Sequence, residues 1–260
     1  SDLFDIPIGF LEELQRYAVP IFTLFIFYKI AENFYESEID KFIPVAIISV
    51  GNWKLFNLSL ASIPINLLSS YSSDVFYIFF LASLLFFFKK DLLKTGASLF
   101  ICVLGHPALG LMAGIFLIIC WAFIHQGEGI KPLAKLALIF FISLAIEYAL
   151  LKICFFGEAK VPSELAWDLV LNHGHNNYLN IYPVEAAKSA LLLIILTICA
   201  YFLCDEKILK KTLLCGVIFL LLMYVLYLIG FHFQSNEILK IAPLRFSNLF
   251  IWLIVLCVKI

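Results

Sequence analysis

Charge is what this sequence has least of. Asp, Glu, Lys and Arg together make up 14% of the 260 residues, against about a quarter in a soluble globular domain. That shortage excludes an ordinary soluble fold and a disordered chain, whose solvation depends on charge. The balance is also even, 18 basic against 19 acidic residues for a net −1, so there is no basic footprint and no nucleic acid is expected as a partner. Arginine occurs only as Arg16 and Arg245. The seven cysteines (102, 120, 154, 199, 204, 215 and 257) form no CxxC or other ligand spacing and sit mostly inside apolar runs, where they read as small buried hydrophobes. No HExxH, internal repeat or Gly/Ser linker is present.

What remains is apolar. Hydrophobic residues make up 63% of the chain, and the mean hydropathy of +1.01 is a membrane value. At roughly 20 apolar residues per spanning helix, the length accommodates about seven or eight helices. Hydropathy predicts runs at 17–31, 42–63 (weakened by Gly51, Asn52 and Lys54), 72–88, 95–105 with 109–124, 133–156, 186–203, 212–231 and 247–260. The expectation is an all-α polytopic membrane protein of about seven to nine hydrophobic segments, one transmembrane helical domain over 1–260 with a polar extracytoplasmic loop at about 157–185. The chain opens on Ser1 and stops at Ile260 inside an apolar run, which reads as a piece of a longer membrane protein.

Segment 95–124 is too long for one ordinary span, about 45 Å as a single helix. His106-Pro107 falls near its middle, between Gly105 and Gly110. Proline lacks a donor and pushes the residue before it away from the helical region, so the run reads as a short broken hairpin. Lysine placement agrees. If Lys89, Lys90 and Lys94 are cytoplasmic, a hairpin puts Lys131 and Lys135, then Lys207, Lys210 and Lys211, on the same side. The opposite loops carry Lys160, Lys240 and Arg245 against Glu158, Glu164, Asp168, Glu185 and Glu237.

This topology gathers His106, His173, His175, His232 and Arg245 on the extracytoplasmic side and leaves His125 with the lysines. His106 either caps a broken helix, its ring bonding a carbonyl, or aims its ring at a polar substrate. His173-Gly174-His175, with Asn176 following, reads as a metal pair, a sugar or lipid-phosphate contact, or a packed loop. Arg245 is an interfacial anchor or, with Lys240, a phosphate clamp. Glu147 reads as a bundle-facing hydrogen-bonding residue, the phenylalanines as packing or lipid-facing, and Trp53, Trp121, Trp167 and Trp252 as interfacial.

The layout over roughly 60–260, with the short motifs GHP at 105–107 and PLRFS at 243–247, resembles the membrane domain of bacterial GT-C-type glycosyltransferases and their multi-pass relatives. The resemblance implies a place in the bacterial cytoplasmic membrane, in polysaccharide biosynthesis. It implies membrane lipid and a polyprenyl-phosphate-linked sugar as partners. It also implies catalytic roles for His106 and Arg245; beside them His173, His175, Asn176, His232 and Lys240, gathered on the same side, read as substrate contacts. No cofactor is called for, although a divalent metal is compatible. The family's acidic residue in the first extracytoplasmic loop has no clear counterpart: only Asp2, Asp5, Glu12 and Glu13 precede the first run. A transporter or flippase for a lipid-linked glycan or small solute, and a non-catalytic membrane subunit, are the alternatives.

Overall fold

A computed structural model describes residues 8–50, 72–154, 183–233, 235 and 248–258. Among them every regular element is helical: α1 (Ile8–Ala31), α2 (Glu38–Val50), α3 (Ser72–Phe88), α4 (Leu92–Gly105), α5 (Pro107–Ile124), a 3-10 turn (Gln126–Glu128), α6 (Ile130–Cys154), α7 (Pro183–Leu203), α8 (Lys207–His232) and α9 (Asn248–Val255). Helices satisfy their own backbone, which apolar segments in lipid must do. Three stretches are long and apolar enough to cross a membrane: Pro107–Ile124, Ile130–Leu150 and Lys207–His232. Shorter apolar helices cover Tyr17–Ala31, Ile78–Phe88, Leu92–Gly105 and Ala190–Leu203. These helices are consistent with an integral membrane protein.

The boundaries depart from hydropathy at several places. α1 begins at Ile8, upstream of the expected 17, and carries Pro20 inside it. α8 takes in Lys207, Lys210 and Lys211, which read as loop; lysine is a good helix former, and its long stem lets the helix run past the apolar boundary with the ammonium in water. Most of the polar loop at 157–185, and residues 51–71, lie outside the described residues.

The run at 95–124 is two helices. α4 ends at Gly105 and α5 starts at Pro107, and the chain reverses between them. Lys90, just before α4, pairs with Glu128, just after α5, at 2.7 Å. A Cβ on Gly110 would overlap the backbone of Val103, seven residues earlier, lying 2.8 Å from its nitrogen. Such an approach exists only in a tight hairpin. α6 packs along both arms, again through glycine: a Cβ on Gly96 would meet Ile139 at 2.8 Å, and one on Gly114 would overlap the Phe140 ring. Small residues let helix backbones close on each other where lipid gives no hydrophobic drive.

The chain turns collect at one end of the bundle. There the Phe34 ring packs edge-on to Phe88, with centroids 4.9 Å apart. The Tyr35 hydroxyl donates to the Leu256 carbonyl, and Lys90 and Lys211 both bear electrostatically on His125. Lys90 sits at φ 58 in the turn into α4, and Asp91 caps that helix by accepting from the Lys94 amide at 3.1 Å. This is the lysine end. The hairpin corner at His106 and the end of α8 lie at the opposite one.

Two tryptophans correct the interfacial expectation. Trp121 and Trp252 are buried in the core, Trp121 against Phe87 and Trp252 against Phe27; their bulk fills the bundle instead of lining its surface. Trp53 and Trp167 lie outside the described residues.

Candidate functional site

His106 is held by the break it creates. Its backbone amide donates to the Cys102 carbonyl at 3.0 Å, and its own carbonyl accepts from the Gly110 amide at 2.8 Å. The ring Nδ1 accepts from the Leu109 amide at 3.2 Å, so the imidazole is the N-cap of α5, with Pro107 at the first helical position. The polarity is opposite to the carbonyl contact expected from sequence: the ring accepts a hydrogen bond instead of donating one. A neutral imidazole accepting at Nδ1 carries its proton on Nε2.

Helix rise places what surrounds the corner. α4 has 14 residues and rises about 21 Å from the lysine end, short of a hydrocarbon core of about 30 Å. The Gly96–Ile139 contact sets α4 against α6, and ten residues further up each helix pair His106 with the level of Ala149. The Gly114–Phe140 contact sets α5 against α6 and, eight residues up, pairs His106 with the level of Tyr148. The two registers agree to within one residue.

Glu147 is therefore level with the corner. Leu136, Phe140, Ser143 and Glu147 form one buried stripe on α6, at the i, i+4, i+7, i+11 spacing of a single helix face. Phe140 on that stripe meets Gly114 of the hairpin. Leu138, Phe141, Ile142 and Ile146 face outward. Glu147 is 8% exposed. The Ser143 hydroxyl is turned back to the Ile139 carbonyl at 2.7 Å, so it is not spent on the carboxyl.

α8 closes the same level from another side. Phe116 packs edge-on to Phe219 at 5.6 Å. Ten residues up from each, His106 meets the level of Ile229, with buried Tyr227 just below. His232 lies about 5 Å higher, exposed, its ring against Phe233 at 5.0 Å. Of the sequence-derived site residues, His106 and His232 thus fall at one end of the bundle. His173, His175, Asn176, Lys240 and Arg245 lie outside the described residues. Among the described residues no group of three His, Cys, Asp or Glu side chains could hold a metal ion.

A second polar cluster, at the lysine end, had no sequence signal. The His125 ring stacks obliquely on Trp121 at 4.7 Å and on Phe87 at 5.2 Å. His125 Nε2 and Trp121 Nε1 are both buried without a hydrogen-bond partner among the described residues. Glu128 lies 3.7 Å from His125 Nδ1 and is tied to Lys90. Burial pushes the His125 pKa down, with Lys90 and Lys211 adding to the effect and Glu128 opposing it. No family model, no curated protein and no solved structure matches this chain.

Proposed function

We propose that the chain is the membrane-embedded part of a transferase that uses a lipid-linked sugar at the end opposite the lysines, in the manner of the GT-C-type enzymes that its layout resembles. The observation carrying this reading is the short α4–α5 hairpin, which sets His106 about two-thirds of the way across an apolar bundle. Irregular backbone survives at that depth where it is packed in protein or lines a cavity. A polyprenyl-phosphate donor brings its reacting carbon to such a depth from the side, its chain remaining in lipid. The His106 Nε2–H donates to developing phosphate charge, and Arg245 with Lys240 supplies the cationic partners. His173, His175, Asn176 and His232 contact the sugar.

The test must separate the ring's cap from its chemistry. His106→Asn keeps an acceptor for the Leu109 amide, because asparagine is a good N-cap, but removes the imidazole. In the full-length protein it is expected to lower sugar transfer from a polyprenyl-phosphate donor by about 100-fold or more, with thermal unfolding in detergent nearly unchanged. Wild-type transfer by His106→Asn would leave the histidine as a cap and sink the reading.

A transporter is the second reading, favoured by the same hairpin, since broken helices at bilayer depth hold substrates in secondary transporters. Movement of a fluorescent lipid-linked glycan across proteoliposomes, without any sugar transfer, would select it.

A further inference from the structure

Two of the cysteines that read as small buried hydrophobes meet at the lysine end. Cys204 closes α7 on the way into α8, its amide donating to the Ala200 carbonyl at 2.8 Å. Cys257 follows α9, its amide donating to the Ile254 carbonyl at 3.0 Å. The two stand more than fifty residues apart in the sequence, yet their sulfurs lie in hydrogen-bonding contact. Each thiol also reaches a backbone carbonyl, that of Glu206 at 3.7 Å from Cys204 and that of Leu253 at 3.3 Å from Cys257. Both side chains are buried, but Asp205, Glu206 and Lys207, next along the chain from Cys204, are exposed. Cys204 thus sits just beneath the water-facing surface of the turn.

The surroundings set Cys204 apart. It precedes the N-terminus of α8, where the helix dipole favours an anion. Contact with the Cys257 thiol holds its pKa down, to about 7; a backbone hydrogen bond at Glu206 and the charge of Lys210 add to this, while burial and the Glu206 carboxylate oppose it. Thiolate is the nucleophilic form, so Cys204 is the reactive member and Cys257 stands beside it as the resolving thiol. Cys120 and Cys215 touch in the same manner. They are buried within α5 and α8, both long and apolar enough to cross a membrane, and provide an internal comparison.

We propose that Cys204 and Cys257 form a redox-modification site, a dithiol that a hydroperoxide closes to a disulfide. The site is independent of the transferase reading. The Cys204 thiolate attacks a peroxide oxygen, the O–O bond breaks with its electron pair leaving on the other oxygen, and Cys204 becomes a sulfenic acid. The Cys257 sulfur then attacks the Cys204 sulfur, the S–O bond breaks, and the departing hydroxide takes the Cys257 proton and leaves as water. The proton first lost from Cys204 completes the alcohol, or the second water where the oxidant is hydrogen peroxide. The sulfurs together lose two electrons and one peroxide bond is reduced. The expected cytoplasmic position of the lysine end suits a bond that forms under oxidant and is reduced again, since lasting disulfides are rare there. The bond ties the α7–α8 turn to the end of α9, which the Tyr35 hydroxyl joins to the α1–α2 turn through the Leu256 carbonyl. Oxidation therefore staples three parts of the lysine end together.

The experiment uses full-length protein in nanodiscs, reduced with dithiothreitol, freed of reductant and exposed to hydrogen peroxide at pH 7. Remaining thiols are blocked with N-ethylmaleimide in denaturant, and the bonds are mapped by mass spectrometry. Wild-type protein is expected to form the Cys204–Cys257 disulfide, with Cys204 consumed about 10-fold faster than Cys120 or Cys215, and to recover both thiols in dithiothreitol. In Cys257→Ser the reaction is expected to stop at the sulfenic acid, which dimedone captures on Cys204. In Cys204→Ser neither the adduct nor the disulfide is expected at this pair. A pair that merely packs would react no faster than Cys120 and Cys215; that result, read in wild-type protein where folding of a variant is not at issue, overturns the proposal. Oxidation that joins Cys204 to a second molecule in place of Cys257 overturns it too, as does dimedone capture on Cys257 with Cys204 untouched.

Discussion

His125 and Trp121 place two polar ring nitrogens in the core with no partner for either among the described residues, and a neutral imidazole is the form such a site tolerates. The direction of its pKa shift carries a sign for stability. The folded protein holds His125 neutral below the ordinary value of 6.5, while the unfolded chain takes up a proton near that value. In the window beneath 6.5 the unfolded state binds more protons, so stability falls as pH drops and levels off once the folded histidine also titrates. His125→Phe keeps the ring stacking with Phe87 and Trp121, removes the orphan nitrogen and removes the titration. Its melting temperature in detergent is expected to match or exceed wild type at pH 7 and to decline less between pH 7 and pH 5. An equal acid decline in both proteins would show that some other group carries it. Hydropathy placed His125 in a loop because it stands just past an apolar run; its burial comes from Phe87 of α3, a neighbour almost forty residues away in sequence.

The α4–α5 hairpin was legible because its causes are local. Proline has no amide to donate, glycine flanks the break, and a mostly apolar run of thirty residues overruns one span, so the sequence marks both the bend and its place. What local chemistry leaves open is which residues of α6 stand beside the corner. That register is set by Gly96 and Gly114 meeting Ile139 and Phe140, contacts across more than twenty residues, and without it Glu147 was only one polar residue in a run. The glycines accordingly differ in what they tolerate. Gly110→Ala drives a methyl into the Val103 backbone, which cannot turn aside, and is expected to cost about 3 kcal/mol or more, the upper range for overpacking. Gly114→Ala meets an aromatic side chain and is expected to cost less. Gly127→Ala meets nothing within 4 Å and should leave stability within about 0.5 kcal/mol of wild type. Thermal unfolding of the three variants checks the order, and an unfolding temperature for Gly110→Ala equal to that of Gly127→Ala would contradict the tight hairpin.

At the scale of the molecule, both the expected sidedness and the position of the corner follow from counting reversals. The turn at Lys89–Lys90, the segment at His125–Lys135 and the start of α8 meet at one end of the bundle, joined by the Lys90–Glu128 pair and by the shared influence of Lys90 and Lys211 on His125. A single straight span over 95–124 would separate the first two of these by a membrane thickness; the reversal at His106 brings them together. The distribution of lysine gives the expected orientation, since short lysine-rich loops are as a rule retained on the cytoplasmic side. Alkaline phosphatase, active only after export, reads this out when fused at successive points. Fusions after Lys90, Gly127 and Asp205 are expected to be inactive, and a fusion after Glu164, beyond α6, to be active. The pair after Lys90 and Gly127 is the decisive one. Equal inactivity requires an even number of crossings between them, as the hairpin supplies, whereas activity at only one of the two means a single crossing, which would put His106 in the middle of a continuous span and separate it from the end of α8.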